Sequence, residues 1–189
     1  MPSIWSCWPS SRARSRLIGR APSWIRLRCA PWAAGKKTGP NPTDRRKLGS
    51  KHHLITDARG LILAVILTAA NTHDVTQLLP LVEALPAIPG KPGRPRQRPD
   101  TVQGDRGYDS EPHRKALRKK GITPLIAKRR TPHGSGLGTT RYVVERSVAH
   151  LHQHRRLRIR YDRNPIIHEA FLKIACILDA WNTLKHSFC

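Results

Sequence analysis

Acidic residues are missing where a carboxylate site would draw on them. The first 43 residues contain no Asp and no Glu, so that stretch can supply no oxygen ligand to a metal. Close cysteine pairs are missing too. Cys7, Cys29, Cys176 and Cys189 form no C-x-x-C, which excludes the usual zinc and disulfide frameworks and points to reduced thiols in the cytoplasm. No apolar run reaches the roughly 18–20 residues of a membrane span. Met1 to Trp32 carries Arg without a continuous apolar stretch, so it does not read as a signal peptide, and no membrane partner is expected.

Positive charge is abundant. The 35 Lys and Arg outnumber 12 Asp and Glu, a formal net charge of +23. A compact chain with that charge repels itself unless a polyanion neutralises it, which makes nucleic acid the expected partner. The excess is not local: setting aside everything up to Lys37 leaves 27 basic against 12 acidic residues.

A length of 189 residues suits one domain, or one domain with a tail. The chain changes character near residue 36. Residues 1–34 hold Trp5, Trp8, Trp24 and Trp32 with much Arg, Ser and Pro, and show no sustained periodicity. Trp5, Trp8 and Trp24 resemble residues that stack on single strands, but in so atypical a segment they carry no weight.

From residue 35 the pattern alternates between strands and helices. Lys51 to Thr56 reads as a strand, Asp57–Gly60 as a turn, and Leu61 to Thr68 as a strand buried on both faces. Val75, Leu78, Leu79, Val82 and Leu85 keep helical spacing. The Pro-, Gly- and Arg-rich run Pro89 to Pro99 reads as a loop. Thr101 to Gly104 predicts a strand that delivers Asp105 at its end. Ser110 to Lys120 reads as a helix, Ile122 to Ala127 as a strand, and Pro132 to Gly138 as a loop. Within a helix over Thr140 to Tyr161, Val144, Val148 and Leu151 form an apolar stripe beside a polar one of Arg141, Glu145, His152 and Arg156. On the last helix, Pro165 to Leu184, the residues Ile167, Ala170, Phe171, Ile174, Leu178 and Trp181 are read as core.

Asp105 and Glu145 are the candidate chemical residues. A carboxylate at a strand end, in Gln103-Gly104-Asp105-Arg106-Gly107-Tyr108-Asp109, lies at a sheet edge where ligands bind. A second, in Arg141-Tyr142-Val143-Val144-Glu145-Arg146, can face it from a packed helix. Carboxylates converging in this way repel unless a divalent cation separates them, and hard oxygen ligands suit Mg²⁺. Spacing alone supports equally a capping role for Asp105 and an i−4 pairing of Glu145 with Arg141. His150 and His154 could bind metal but have no evident third ligand, so a solvated basic face is the better reading. His52-His53 reads as structural or phosphate-facing. Arg155, Arg156, Arg158 and Arg160 are expected to contact DNA backbone rather than bases.

These motifs together resemble the DDE transposases of insertion sequences, specifically the insertion-sequence-five type. The matching text covers roughly residues 35–185. It includes Thr38-Gly39-Pro40-Asn41-Pro42-Thr43-Asp44-Arg45, Gly49-Ser50-Lys51-His52-His53, Asn71-Thr72-His73-Asp74-Val75 and the two acidic motifs above. The resemblance implies an RNase H-like α/β domain, a mixed sheet flanked by helices. It also implies cleavage and strand transfer of DNA by two-metal chemistry. The second and third catalytic acids fall on Asp105 and Glu145, which would hold Mg²⁺ (or Mn²⁺ in its place), and Arg141 matches a basic position before the Glu. His152 and Gly138 stand where related groups carry Lys and Tyr. Partners implied are the element's terminal repeats and target DNA, engaged as a homodimer, with Arg141, Arg146, Arg155 and Arg156 on the DNA.

The first acid of the family should lie on the first, central strand, near Ile25 by counting back from Thr38-Gly39-Pro40. No acid is there, and Asp44 and Asp57 belong to other matched segments. Ile25, Leu27 and Cys29 alternate with Arg26 and Arg28, and a strand covered on both faces would bury those Arg. Residues 1–34 are therefore expected to be out of frame or disordered, with the central strand missing or replaced and residues 35–189 forming the C-terminal part of the catalytic domain. The expected function is that of a transposase fragment with impaired chemistry. The alternative is a non-catalytic basic DNA- or RNA-binding protein.

Overall fold

The computed structural model describes residues 16–20, 35–42, 45–87, 95, 97–130 and 138–188; for 16–20, 138–141 and 186–188 it describes the backbone alone. In chain order the strands are β1 (Arg16–Arg20), β2 (Gly39–Pro40), β3 (Leu48–Thr56), β4 (Ile62–Ala69), β5 (Thr101–Gly104) and β6 (Thr123–Ile126). The helices are α1 (Leu78–Glu83), α2 (Glu111–Lys119), α3 (Gly138–Gln153), α4 (Arg155–Arg158) and α5 (Pro165–Phe188). Single 3₁₀ turns span Asp74–Gln77 and Arg106–Tyr108.

The sheet runs β4–β3–β1–β5–β6, with β2 pairing on the first residues of β3. β1 is antiparallel to β3 and parallel to β5, and β5 is parallel to β6. Strand alternation sorts the core into two layers. Ile55 points to one face, where it meets Leu81, Val82, Val102, Leu117 and Ile122 under α1 and α2. Its neighbour Leu54 points to the other, against Val144, Leu151, Leu157 and Leu172 of α3, α4 and α5. A mixed sheet with helices on both faces agrees with the RNase H-like class that the motifs imply.

Three expectations need correction. The central position of the sheet is held by β1, so a missing central strand is not confirmed. The segment placed there is Arg16-Leu17-Ile18-Gly19-Arg20 and not the stretch around Ile25, which lies outside the described residues. Its arginines stand at the two ends, whereas the alternation around Ile25 would set them in mid-strand. Second, β4 is an edge strand paired with β3 alone, and of its residues only Leu67 is fully buried. Its side chains still pack on both layers, half-buried: Leu63, Ala64 and Ile66 on the first and Ile62 and Val65 on the second. Third, α5 buries a different face from the one expected. His168, Leu172 and Ala175 are inside, while Ile174 and Trp181 are 52% and 65% exposed. The stripe is real, but α3 and β4 meet the neighbouring face of the helix.

The family motifs turn out to hold the fold together. Lys51 donates to Asp74 Oδ1 at 3.0 Å and to the Thr72 carbonyl at 2.9 Å, joining Gly49–His53 to Asn71–Val75. At the same junction a Cβ on Gly39 would lie 2.3 Å from Asn71 Oδ1, so any side chain there would displace Asn71. Arg160 is fully buried. Its guanidinium donates to the carbonyls of Lys36, Lys37, Asp162 and Arg163 and to the hydroxyls of Thr38 and Ser50, at 2.6–3.2 Å. It therefore cannot touch DNA backbone, as its sequence neighbourhood had led us to expect.

Two histidines meet in the second core layer. His52 Nε2 and His168 Nε2 are 3.0 Å apart with both side chains buried. Burial pushes the pKa of His168 down to about 4, with the charge of Arg160 adding to the effect, and holds His52 well below the ordinary histidine range. His53, against Thr68 Oγ1 at 2.7 Å, is also pushed down to about 4 by burial.

Two outcomes follow. Arg160→Ala strips six hydrogen bonds from buried acceptors, so it is expected to cost at least ~3 kcal/mol of stability in urea unfolding. An unchanged midpoint would refute the role given to that side chain. The buried histidines bind protons in the unfolded chain below its pKa near 6.5 but not in the folded one until about 4. Their contribution is therefore present above pH 6.5 and lost as pH falls from 6.5 towards 4. The urea midpoint should drop through that window; a flat profile would mean that the rings are solvated.

Candidate functional site

Asp105 follows β5 and is the N-cap of the 3₁₀ turn Arg106–Tyr108. Its Oδ1 accepts from the Gly107 N–H at 3.0 Å, the capping role that spacing alone had left open. The next acid, Asp109, organises the loop. It receives the Arg129 N–H at 2.7 Å on one oxygen and Arg114 Nη2 and Nε at 2.7 and 3.2 Å on the other. The Arg129 amide first, then the Arg114 guanidinium, hold the Asp109 carboxyl below its ordinary pKa. Arg114 is itself buried on α2 and also donates to the Ile126 carbonyl. Arg129 Nε donates to the Arg106 carbonyl at 3.0 Å. Loop 105–109 is thus clamped from α2 and from the end of β6. The sequence reading singled out the Asp105 motif but missed this network. Its signal was there, in the second acid of the motif and an Arg five residues on.

Glu145 lies on α3, exposed. Its neighbours fix the helix: Ser147 Oγ donates to the Gly60 carbonyl at 2.6 Å and Arg146 Nη2 to the Arg59 carbonyl at 2.8 Å. Gly60 accepts this approach because its φ is +95° and a Cβ would meet Ser147 Oγ at 2.9 Å. α3 is therefore pinned where β3 turns into β4, and it also packs on β1. Asp105 sits towards the other end of the sheet. Ile18 is paired with both Gln103 and Thr56, and Arg20 with Leu54, so Asp105 is level with Arg20 and Leu54. The Gly60 turn is roughly 13 Å further along the strands at ~3.3 Å per residue. Glu145 precedes by two residues the Ser147 contact with that turn.

Among the described residues no three His, Cys, Asp or Glu side chains gather as a metal cluster. Asp105 uses one oxygen as a cap, and the residue level with it on the central strand is Arg20. As arranged, these residues do not fit a two-cation site. Asp57, weighed as a substitute acid, accepts the Arg59 and Leu61 N–H groups within its own turn; Asp44 lies outside the described residues.

The basic candidates fall into distinct groups. Arg155 and Arg156 are exposed on α4. Arg156 lies 4.5 Å over the Phe171 ring and 3.7 Å from Asp162, so its side chain is held ready. Arg146 is committed to the hairpin turn. Arg141 lies on α3 with its side chain outside the described residues. His150 lines a cavity of about 250 Å³ with Arg59, Arg146 and Asp179, below the ~300–1,000 Å³ of ligand pockets. His154 is turned to Asp179 at 3.8 Å. The two histidines do not form the metal pair that their i, i+4 spacing allowed.

Residues 19–179 match the family described as the Transposase DDE domain, and the chain belongs to that family. It is 64% identical over 151 residues to a Burkholderia cepacia protein whose name assigns it, provisionally, to transposition of insertion sequence element IS402. That alignment covers 80% of this chain and 72% of the relative. A transposase for insertion sequence element IS1106 from Neisseria meningitidis serogroup B is 34% identical over 117 residues, covering 57% of this chain and 37% of the relative. No solved structure matches. The family match begins at residue 19, inside the segment set apart on composition, and takes in both Asp105 and Glu145. No helix among the described residues is long and apolar enough to cross a membrane.

Asp109→Ala removes the acceptor that joins α2 to the strand after it. The expected loss is about 1–3 kcal/mol in urea unfolding, with faster amide exchange across residues 105–110. Unchanged exchange there would show that the loop does not depend on Asp109.

Proposed function

We propose that this chain is the DNA-engaging domain of an insertion-sequence transposase whose own strand transfer is residual or lost. The observation that carries this is the absence of any acid in the first 43 residues, together with a central strand whose residue level with Asp105 is Arg20. Counting from Thr38-Gly39-Pro40 instead points to Ile25, which is equally unable to bind a cation. The family uses divalent metal generally, and Asp105 and Glu145 correspond to its second and third acids. No third acid joins them among the described residues, which supports no closed site for a pair of Mg²⁺ or Mn²⁺ ions.

The acid-free stretch to residue 43 supports reading the start of the chain as family sequence in a shifted frame, and the family match from residue 19 limits that reading to the residues before it. DNA binding is the function that the remaining surface retains. The net charge of +23 calls for a polyanion, and α4 presents Arg155, Arg156 and Arg158 on its exposed side. Phosphate contacts of this kind position a protein without reading bases, so any discrimination for terminal repeats would come from elsewhere in the chain.

The test is binding and joining on duplexes carrying the element's ends. Affinity should fall steeply with salt, and Arg155→Ala with Arg158→Ala should reduce the slope of log K against log salt by roughly 2. Joining with Mg²⁺ should stay at background and be unaffected by Glu145→Ala. Robust joining that Glu145→Ala abolishes would overturn the proposal, and a preference for RNA over duplex DNA would favour an RNA-binding reading.

A further inference from the structure

Strand β3 outruns the rest of the sheet. Leu54 is level with Arg20 and Asp105, and β3 begins at Leu48, roughly 20 Å further along the strand at ~3.3 Å per residue. The excess carries the β2–β3 hairpin past the Asp105 loop, in the direction in which β1 and β5 run. Beyond Gly49, β2 alone pairs with β3, Pro40 with Leu48. The Asn41 N–H donates to the Lys47 carbonyl at 2.9 Å and the Arg46 N–H to the Asn41 carbonyl at 3.1 Å, which closes the turn.

The residues at the tip are not the ones the turn itself would select. Arg45 and Arg46 have φ of 48° and 58°, left-handed conformations that hairpins ordinarily give to Asn and Gly. Among the described residues the non-glycine positions with positive φ are Lys37, Arg45, Arg46 and Arg130, all basic. Lys37 has a reason within the fold, since its carbonyl accepts from Arg160 and Ser50 and its Nζ meets Glu169. Arg45 and Arg46 have no such reason. They are exposed together with Lys47, and none of the described residues pairs with their side chains. An unfavourable backbone kept for side chains that hold nothing in the fold points to a ligand outside it.

Given the DNA-engaging role proposed above, we infer that the β2–β3 turn is an arm that enters the major groove of duplex DNA and brings Arg45 and Arg46 to it. Charge gives the class of partner, because Arg45, Arg46 and Lys47 stand together against Asp44 alone. Shape gives the groove. Two strands ~4.8 Å apart with their side chains fit the ~12 Å major groove of B-form DNA and not its ~6 Å minor groove. The deep, narrow major groove of duplex RNA excludes them. Arginine at such a tip reaches O6 and N7 of guanine, so the turn supplies base contacts that the exposed arginines of α4 do not.

The experiment titrates the full chain against duplexes carrying the element's ends, with dimethyl sulfate methylation of guanine N7 at saturating protein as the groove probe. Arg45→Asn with Arg46→Gly gives the turn its preferred residues, so the urea midpoint should hold or rise. Affinity for the duplex should nevertheless fall at least ~10-fold, the slope of log K against log salt should drop by roughly 2, and N7 protection should be lost. Arg45→Gln with Arg46→Gln gives the same binding readout should the first pair of changes alter the turn. Arg155→Ala with Arg158→Ala should weaken binding and leave N7 protected. A wild-type chain that binds no duplex would end the DNA reading and the arm with it. Turn variants that bind as tightly as a DNA-binding wild type, or that leave N7 protected, overturn the arm alone, and so does a preference for duplex RNA.

Discussion

A buried cation needs its hydrogen-bond donors satisfied, and in this chain that requirement organises one whole side of the domain. Arg160 sits in the link between α4 and α5, and its acceptors come from Lys36 to Ser50 on one side and from Asp162 and Arg163 on the other. Six oxygens at hydrogen-bonding distance spread the charge over carbonyl and hydroxyl dipoles. Because these acceptors are mostly backbone, the arrangement fixes where the chain enters β2 and β3 and where α5 begins. α5 then sets the second core layer, and α3 is held between that layer and the hairpin turn. The placement of Glu145 therefore traces back, through α3, to a residue that sequence patterning would leave on the surface.

The same logic governs the loop after β5. Asp105 and Asp109 lie four residues apart in one motif, yet they do different things. Asp105 caps a single 3₁₀ turn, while Asp109 gathers two arginines and so fixes the direction in which the loop leaves the sheet. A site built from a strand end needs such a frame, because the carboxylate that meets a ligand cannot also carry the loop. That frame is intact here, with Arg20 on the neighbouring strand at the level of the cap.

Much of the architecture was legible in the sequence, because period-two and helical patterns follow directly from which faces are buried. β3, β5, β6, α2 and the stripe of Val144, Val148 and Leu151 emerged close to where they stand. The family itself was legible too, from its motifs. What patterning could not show was which of two apolar faces a helix would bury. On α5 both faces carry enough apolar residues for a core, and the choice is made by His168, a polar residue that no hydrophobicity argument selects. Nor could it distinguish Arg160 from Arg155, Arg156 and Arg158. All four interleave with apolar residues, and only the ends of distant segments, brought together by the fold, separate the buried one from the others.

The paired rings of His52 and His168 have a consequence for proton placement. With both neutral and their Nε2 atoms 3.0 Å apart, one ring must carry its proton on Nε2 and the other on Nδ1. Neither ring can change tautomer alone, since two Nε2 protons would collide and two bare Nε2 lone pairs would repel. Neither Nδ1 finds a hydrogen-bond partner among the described residues, so each allowed placement leaves one Nδ1–H and one Nδ1 lone pair unmatched. The contact between β3 and α5 thus ties the tautomer of one ring to that of the other.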